Sequence, residues 1–338
     1  MKTRSLLSHA ILLCALALLF NSSVMARALI LQDQNPTVKV PEAEAKAVKD
    51  IEAAKDLATK WAGAEAFLKK YPTSKARPQL AGYMASQVFA VTDANQKMTA
   101  AQKYIAVFTD PTEVKSVKPA LIDAFVQLNR MDEAFDNGAS YLASDAEDVQ
   151  VRIMLAIAGA ELARAQNVKY MKASREYGVK AIELVEADKK PAAMDNESWV
   201  KQKAFLPTLY QQMAVMSLVE QKPAEAQATL EKAAKLNPAD PFNHALLGSI
   251  INSEYQSLAQ TVRGLPEGKS KDELLQKANA ILDRVIEHYA HAVAMATGKP
   301  QYKPLADQVM GDLTIYYKYR HKNSDEGLQK YIDGFKAP

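Results

Sequence analysis

One phrase recurs along this chain of 338 residues: a small residue, a large apolar one four positions on, and a small one three further. The clearest copy is Ala226, Leu230 and Ala233, with Met213-Ala214 upstream and Pro238 after it. Aligned on the first small residue, Ala134, Gly138 and Tyr141 follow Leu121-Ile122, and Ala100, Tyr104 and Val107 make a further copy. Ala100 and Ala134 stand 34 residues apart, room for one helical hairpin per repeat. Small residues at a crossing let two helices approach to about 8–10 Å, while the large one fills the gap to the next hairpin. A single hairpin cannot bury its own apolar face, so such a chain must stack its repeats. With 12 glycines, 48% hydrophobic residues and no run of period two, the chain reads as all-α.

The first 28 residues are expected to be a secretory signal. Lys2 and Arg4 precede an apolar run from Ala10 to Phe20, and Val24-Met25-Ala26 or Ala26-Arg27-Ala28 supplies a small-residue cleavage site. That run is about eleven residues, half of what a bilayer span needs. The mature chain is therefore expected to be exported to the periplasm without a transmembrane anchor. Removing the segment discards three basic residues and no acid, leaving 39 basic against 39 acidic residues. Charge so balanced, with no basic block, argues against nucleic acid and anionic membrane as partners. The one cysteine, Cys14, leaves with the signal, so no disulfide, thiolate metal site or cysteine nucleophile is expected.

Residues 29–42 read as an extended lead-in interrupted by Pro36 and Pro41. From Pro41 a helix is predicted to reach Tyr71 and stop at Pro72. Hairpins follow at 81–114, 115–148, 149–187, 207–240, 241–297 and 304–334, with Leu247-Gly248 the best first-helix pair. The spacing from Ala156 to Ala173 is seventeen residues, which predicts longer helices or a longer turn. From Gly248 to Ala278 it is thirty, which places an insertion near 263–271. The polar stretch 188–196 is the expected linker between hairpins at 43–190 and those at 191–338.

The repeated phrase resembles that of the tetratricopeptide-repeat (TPR) family, over roughly residues 43–334. The resemblance implies a right-handed α-solenoid of TPR-like helical hairpins whose stacked first helices line a concave groove for a peptide or a partner helix. Tyr210, His244 and Lys118 stand where the family's full consensus has tryptophan. Groove-lining positions carried over from the family fall on Asp123, Gln127, Ile153, Ile157, Gln211, Val215, Ser249 and Asn252. The lysine-and-asparagine clamp of chaperone-binding members is absent, and Asp123 places an acid where it would sit. A ligand held by its C-terminal carboxylate is thus disfavoured.

No cofactor, metal or catalytic residue is expected. Gly264-Leu265-Pro266-Glu267-Gly268-Lys269-Ser270 has three residues between its glycines where a phosphate-binding loop needs four, and it follows a helix rather than a strand. His288 and His291 share a helical face, but a zinc site needs a third ligand and no other histidine lies near in sequence. They read as solvated, and His244 and His321 as isolated. Glu197-Ser198 resembles the general-acid pair of soluble lytic transglycosylases over two residues only. Helix electrostatics alone would select an acid after an Asn196 cap. Met213 and Met216 read as core filler. Near the end, Tyr316 and Tyr319 are expected on the packed face, leaving Tyr317 as the exposed aromatic contact.

The sequence thus points to a non-enzymatic scaffold of the bacterial cell envelope that captures a protein segment in its groove. A periplasmic carrier of small ligands and a peptidoglycan hydrolase are the alternatives.

Overall fold

The computed structural model describes residues 39–192 and 194–336; the segment 1–28 expected to be a signal and most of the expected lead-in lie outside them. The described residues form helices and turns without a strand. The chain divides between Phe205 and Leu206 into two units. The expected linker at 188–196 belongs to the first of them.

In the first unit, α1 (Glu42–Ala53) and α2 (Leu57–Lys70) pair, as do α3 (Arg77–Phe89) and α4 (Ala94–Val107). The next pairs are α5 (Pro111–Gln127) with α6 (Met131–Ser144), and α7 (Val149–Arg164) with α8 (Met171–Glu186). A short α9 (Asn196–Lys203) closes the unit. The single helix expected over 41–71 is a hairpin instead. It breaks at Ala54 to Asp56, where the Asp56 carboxylate accepts the Thr59 N–H at 2.8 Å and starts α2. Asp93, Asp110, Asp148, Asp195 and Asp240 cap later helices in the same way, each side chain accepting an N–H that the first turn would leave unpaired. The cap of α9 is thus Asp195, one residue before the asparagine expected to serve.

The second unit holds α10 (Leu206–Val219) with α11 (Pro223–Leu236), then α12 (Pro241–Arg263) with α13 (Lys269–Ala296). A 3-10 turn leads into α14 (Lys303–Arg320), and α15 (Leu328–Asp333) follows. The expected insertion near 263–271 is not a loop. Its residues lengthen α12 to 23 residues and α13 to 28, and Gly264 to Gly268 make only the turn between them. Between α7 and α8 the turn spans 165–170, longer than the turns at 128–130 and 220–222, and this longer turn supplies part of the wide spacing between Ala156 and Ala173.

The repeat is visible in backbone geometry as well as in side chains. Asn129, Gln166 and Gln221 follow the first helix of three hairpins, and all take a positive φ of 56 to 69°. In each case the next N–H reaches back five residues: Arg130 to Phe125, Asn167 to Leu162 and Lys222 to Ser217, at 2.8–2.9 Å. This Schellman closure satisfies carbonyls at the helix end and turns the chain at one fixed angle.

The recurring phrase is the core. Ala226, Leu230 and Ala233 are fully buried, as are Tyr104 and Ala134. Tyr104 donates to the Ala81 carbonyl at 3.1 Å, and burial pushes its phenol up to about 12. Gly138, which holds a slot for a large residue, is filled from the neighbouring hairpin. A Cβ there would lie 2.3 Å from Leu155 Cδ1 of α7. Within the first unit the first helices lie side by side, α3 on α5 and α5 on α7. Arg77 of α3 adds a bidentate pair to Glu113 in the first turn of α5, at 2.8 and 2.9 Å.

Candidate interaction surface

The residues expected to line a groove meet different fates. Asp123 is buried, and its carboxylate pairs with Lys97 of the preceding hairpin at 2.6 Å. Gln127, one turn on, donates to both Asp123 oxygens at 2.8–2.9 Å. Both oxygens of that carboxylate are thereby engaged, so Asp123 ties α5 to the preceding hairpin. Ile153, Ile157 and Val215 are buried apolar residues. Gln211 is half-buried and committed: its amide donates to Asp240 at 3.1 Å and to Asn243 at 2.9 Å, fastening α10 to the start of α12. Ser249 is half-buried on α12 with an accessible edge.

Asn252 differs from these. It is 8% exposed, and its side-chain oxygen has no hydrogen-bond partner. It lies beside the phenols of Tyr289 on α13 and Tyr316 on α14. Gln256, one turn further along α12, donates to the Tyr316 hydroxyl at 3.1 Å, and Tyr255 meets the Tyr316 ring edge-on. Asp312, one turn before Tyr316, acts electrostatically on both phenols, and its own burial raises its carboxyl above the usual range. The contact between α12 and α14 therefore carries a polar cluster at the face of two first helices.

Tyr317 is not the exposed ring of its cluster. It is 7% exposed, stacks on His321 at 3.8 Å between centroids, and lies near Tyr331. Tyr319 is the exposed one, at 58%, joined by Ile315 one turn earlier at 64%. The helix places 312, 315, 316 and 319 on one side, and the core takes 309, 313 and 317. Three-residue counting from Tyr316 chose the wrong stripe.

Three of the histidines expected to be solvated or isolated form a stack. His244 of α12 is buried, with its ring 3.7 Å from that of His291 on α13 and its Nδ1 3.2 Å from His288 Nδ1. Phe335 covers His291 from the other side at 5.2 Å. Stacked rings do not aim three nitrogens at one point, and no group of three metal-binding side chains occurs among the described residues. Glu197 is exposed on α9 and paired with Lys201 at 2.7 Å. The glycine-lysine-serine stretch forms the tip of the α12–α13 hairpin. No described helix is long and apolar enough to cross a membrane.

No family model matches the chain, and no curated protein matches it. Among solved structures it is similar to a thermophilic TPR protein of Thermus thermophilus, at 13% identity over 69% of this chain and 98% of that one, with a TM-score of 0.37. PilF of Pseudomonas aeruginosa is similar at 11% identity over 85% of this chain and 98% of that one, TM-score 0.36. An IFIT1 monomeric mutant with Gppp-AAAA is similar at 12% identity over 93% and 73% of the two chains, TM-score 0.37.

The histidine stack is expected to make the second unit acid-labile. Burial, with His291 and His288 adding to it, pushes His244 down to about 4, and His288 and His291 are lowered mainly by burial too. Glu287, Arg284, His291 and, from α11, Glu231 act electrostatically on His288. The unfolded chain takes up protons near the ordinary histidine value of about 6.5, the folded chain only further down. Stability is thus complete above that ordinary value and falls as pH drops through the window to about 4. Both tryptophans, Trp61 and Trp199, lie in the first unit. On acidification from pH 7 to 5, helical ellipticity in a thermal melt should therefore be lost at lower temperature before tryptophan emission changes. His244→Phe should flatten that pH dependence; an unchanged slope would show that the stack is not its source.

Proposed function

We propose that this chain is a non-enzymatic scaffold of the bacterial cell envelope, exported by its first 28 residues, that holds a segment of a partner protein against first-helix faces of its second unit. One observation carries the reading. Along α12 and α14, polar groups without full hydrogen bonding (Asn252, Asp312) stand beside exposed apolar ones (Ile315, Tyr319). Buried unsatisfied acceptors cost folding free energy, and aromatic side chains are favoured at protein contacts. A surface holding both is better explained by a partner than by stability. The balanced charge of the mature sequence favours a protein partner over nucleic acid. The exposed, ion-paired Glu197 gives no support to a peptidoglycan hydrolase.

The test is photo-cross-linking in cells that make the protein. Benzoylphenylalanine at Ser249 or Ile315, on first helices, should yield a discrete adduct. The same probe at exposed Lys232 or Lys277, on second helices, should yield none. Adducts from the second helices alone would overturn the reading.

A small-ligand carrier draws support from one feature. An open, shallow depression lined by Tyr317, Gly327, Lys330, Tyr331, Gly334 and Phe335 offers aromatic surface to a flat ligand. If that reading holds, Gly327→Trp abolishes the ligand's stabilising effect in a thermal-shift screen of aromatic compounds.

A further inference from the structure

We infer that the α12–α14 face of the second unit recognises a lysine or arginine side chain, flanked by apolar residues, in the segment of the partner protein. This rests on the scaffold reading and names what the face selects. One acid of this face lacks a counter-ion. Asp312 makes no ion pair and no hydrogen bond among the described residues, although it is half-buried. The basic residues of its own helix, α14, are all engaged elsewhere. Arg320 is bidentate to Asp283 at 2.7 and 2.9 Å, Lys303 pairs with Asp307 at 2.7 Å, and Lys318 with Asp325 at 2.8 Å.

A second acceptor without a partner stands in the same cluster. The Asn252 side-chain oxygen is buried and unbonded, and Asn252 neighbours the same two phenols on which Asp312 acts. Gln256 donates to the Tyr316 hydroxyl, whose oxygen is a third acceptor in the cluster. A carboxylate, an amide oxygen and a phenol oxygen are all acceptors. An ammonium or guanidinium, which only donates, is the complement of that set.

The flanks suit an apolar neighbour. Beside Asp312, Gly311 has open space where its side chain would be, so a ligand backbone can come close. Ile315 and Tyr319 then extend an exposed apolar rail along α14. A basic residue between two aliphatic ones would place its charge at Asp312 and its neighbours along the rail. The site also has the thermodynamic mark of a functional one: a desolvated acid with no counter-charge costs stability, and such residues are retained where binding needs them.

The experiment uses three blocked nonapeptides, identical in their leucine flanks, with lysine, norleucine or glutamate at the centre. Each is titrated calorimetrically into the purified chain at low and raised salt. The lysine peptide should bind about tenfold tighter than the norleucine one, the advantage shrinking with salt, and the glutamate peptide weakest. Asp312→Asn should erase the difference and melt at or above the wild-type temperature. Asp283→Asn, which removes an acid already paired with Arg320, should leave the discrimination in place. Equal binding of lysine and norleucine peptides, discrimination that survives Asp312→Asn, or no binding of the lysine peptide below about 1 mM would each overturn the inference. A lower melting temperature for Asp312→Asn would show a structural role and overturn it too. Equal binding of all three peptides would leave segment capture standing, and the cross-linking pattern decides that reading separately.

Discussion

Lys97→Met is expected to remove about 3–5 kcal/mol of folding free energy, the cost of leaving one member of a buried ion pair without the other. Lys97 and Asp123 are each 8% exposed in their side chains and meet at 2.6 Å between α4 and α5. Without the ammonium, Asp123 keeps only the neutral amide of Gln127. Water cannot reach in to replace the lost charge. Lys97→Met/Asp123→Leu should recover most of the loss, because two apolar residues of similar volume need no solvation. Urea denaturation followed by tryptophan emission reads the effect, since both tryptophans share the unit that carries the pair. A single variant as stable as wild type would mean that the pair is solvated and not a buried tie.

Gly159→Val should cost about 3 kcal/mol, near the upper end of what overpacking a core takes. A Cβ at Gly159 would stand 1.6 Å from Ser174 Oγ, 2.6 Å from Ser174 Cβ and 3.2 Å from Phe135 Cζ. The hydroxyl can rotate away, but the serine Cβ is fixed to the backbone of α8. The helices α7 and α8 must therefore move apart along their contact. Gly159→Ala should be destabilising too, and pairing it with Ser174→Gly should relieve most of the strain. Gly311→Ala should have the opposite sign. Nothing lies within 4 Å of a Cβ there, so the better helix propensity of alanine adds about 0.5–1 kcal/mol. The same chemical change at two helical glycines thus separates a crossing point from a surface position.

The helical phrase was legible because its chemistry is local. Ala226, Leu230 and Ala233 read as core from their spacing and are core. The hairpin over 42–70 was missed because its turn, Ala54-Lys55-Asp56, holds neither glycine nor proline; the one signal was Asp56 with Thr59 three residues on. At Gln166 and Gln221 the hairpins were expected, but the backbone conformation of the turn residue was not. Their positive φ is stabilised by the Schellman bonds, not by a residue that prefers it.

The candidate surface was harder to read, since it depends on which residues meet across helices. Asp123 looks like a groove acid until Lys97, 26 positions away, is found against it. His244 looks isolated until α13 brings His288 and His291 alongside. Its place at the position where the repeat wants a large aromatic was the available hint. Asp312 carries no motif at all. Its interest comes from the ion pairs that the basic residues of α14 make with other acids, leaving it without one.

The first-helix face of the second unit is the centre of this account, and amide chemical shifts map it most directly. The lysine nonapeptide is titrated into isotope-labelled protein and the shifting amides are placed on the helices. The account predicts shifts concentrated at 249–256 on α12 and 311–319 on α14, and absent from them in Asp312→Asn. Shifts centred on 327–335, or spread evenly along the outer sides of α11 and α13, would contradict it.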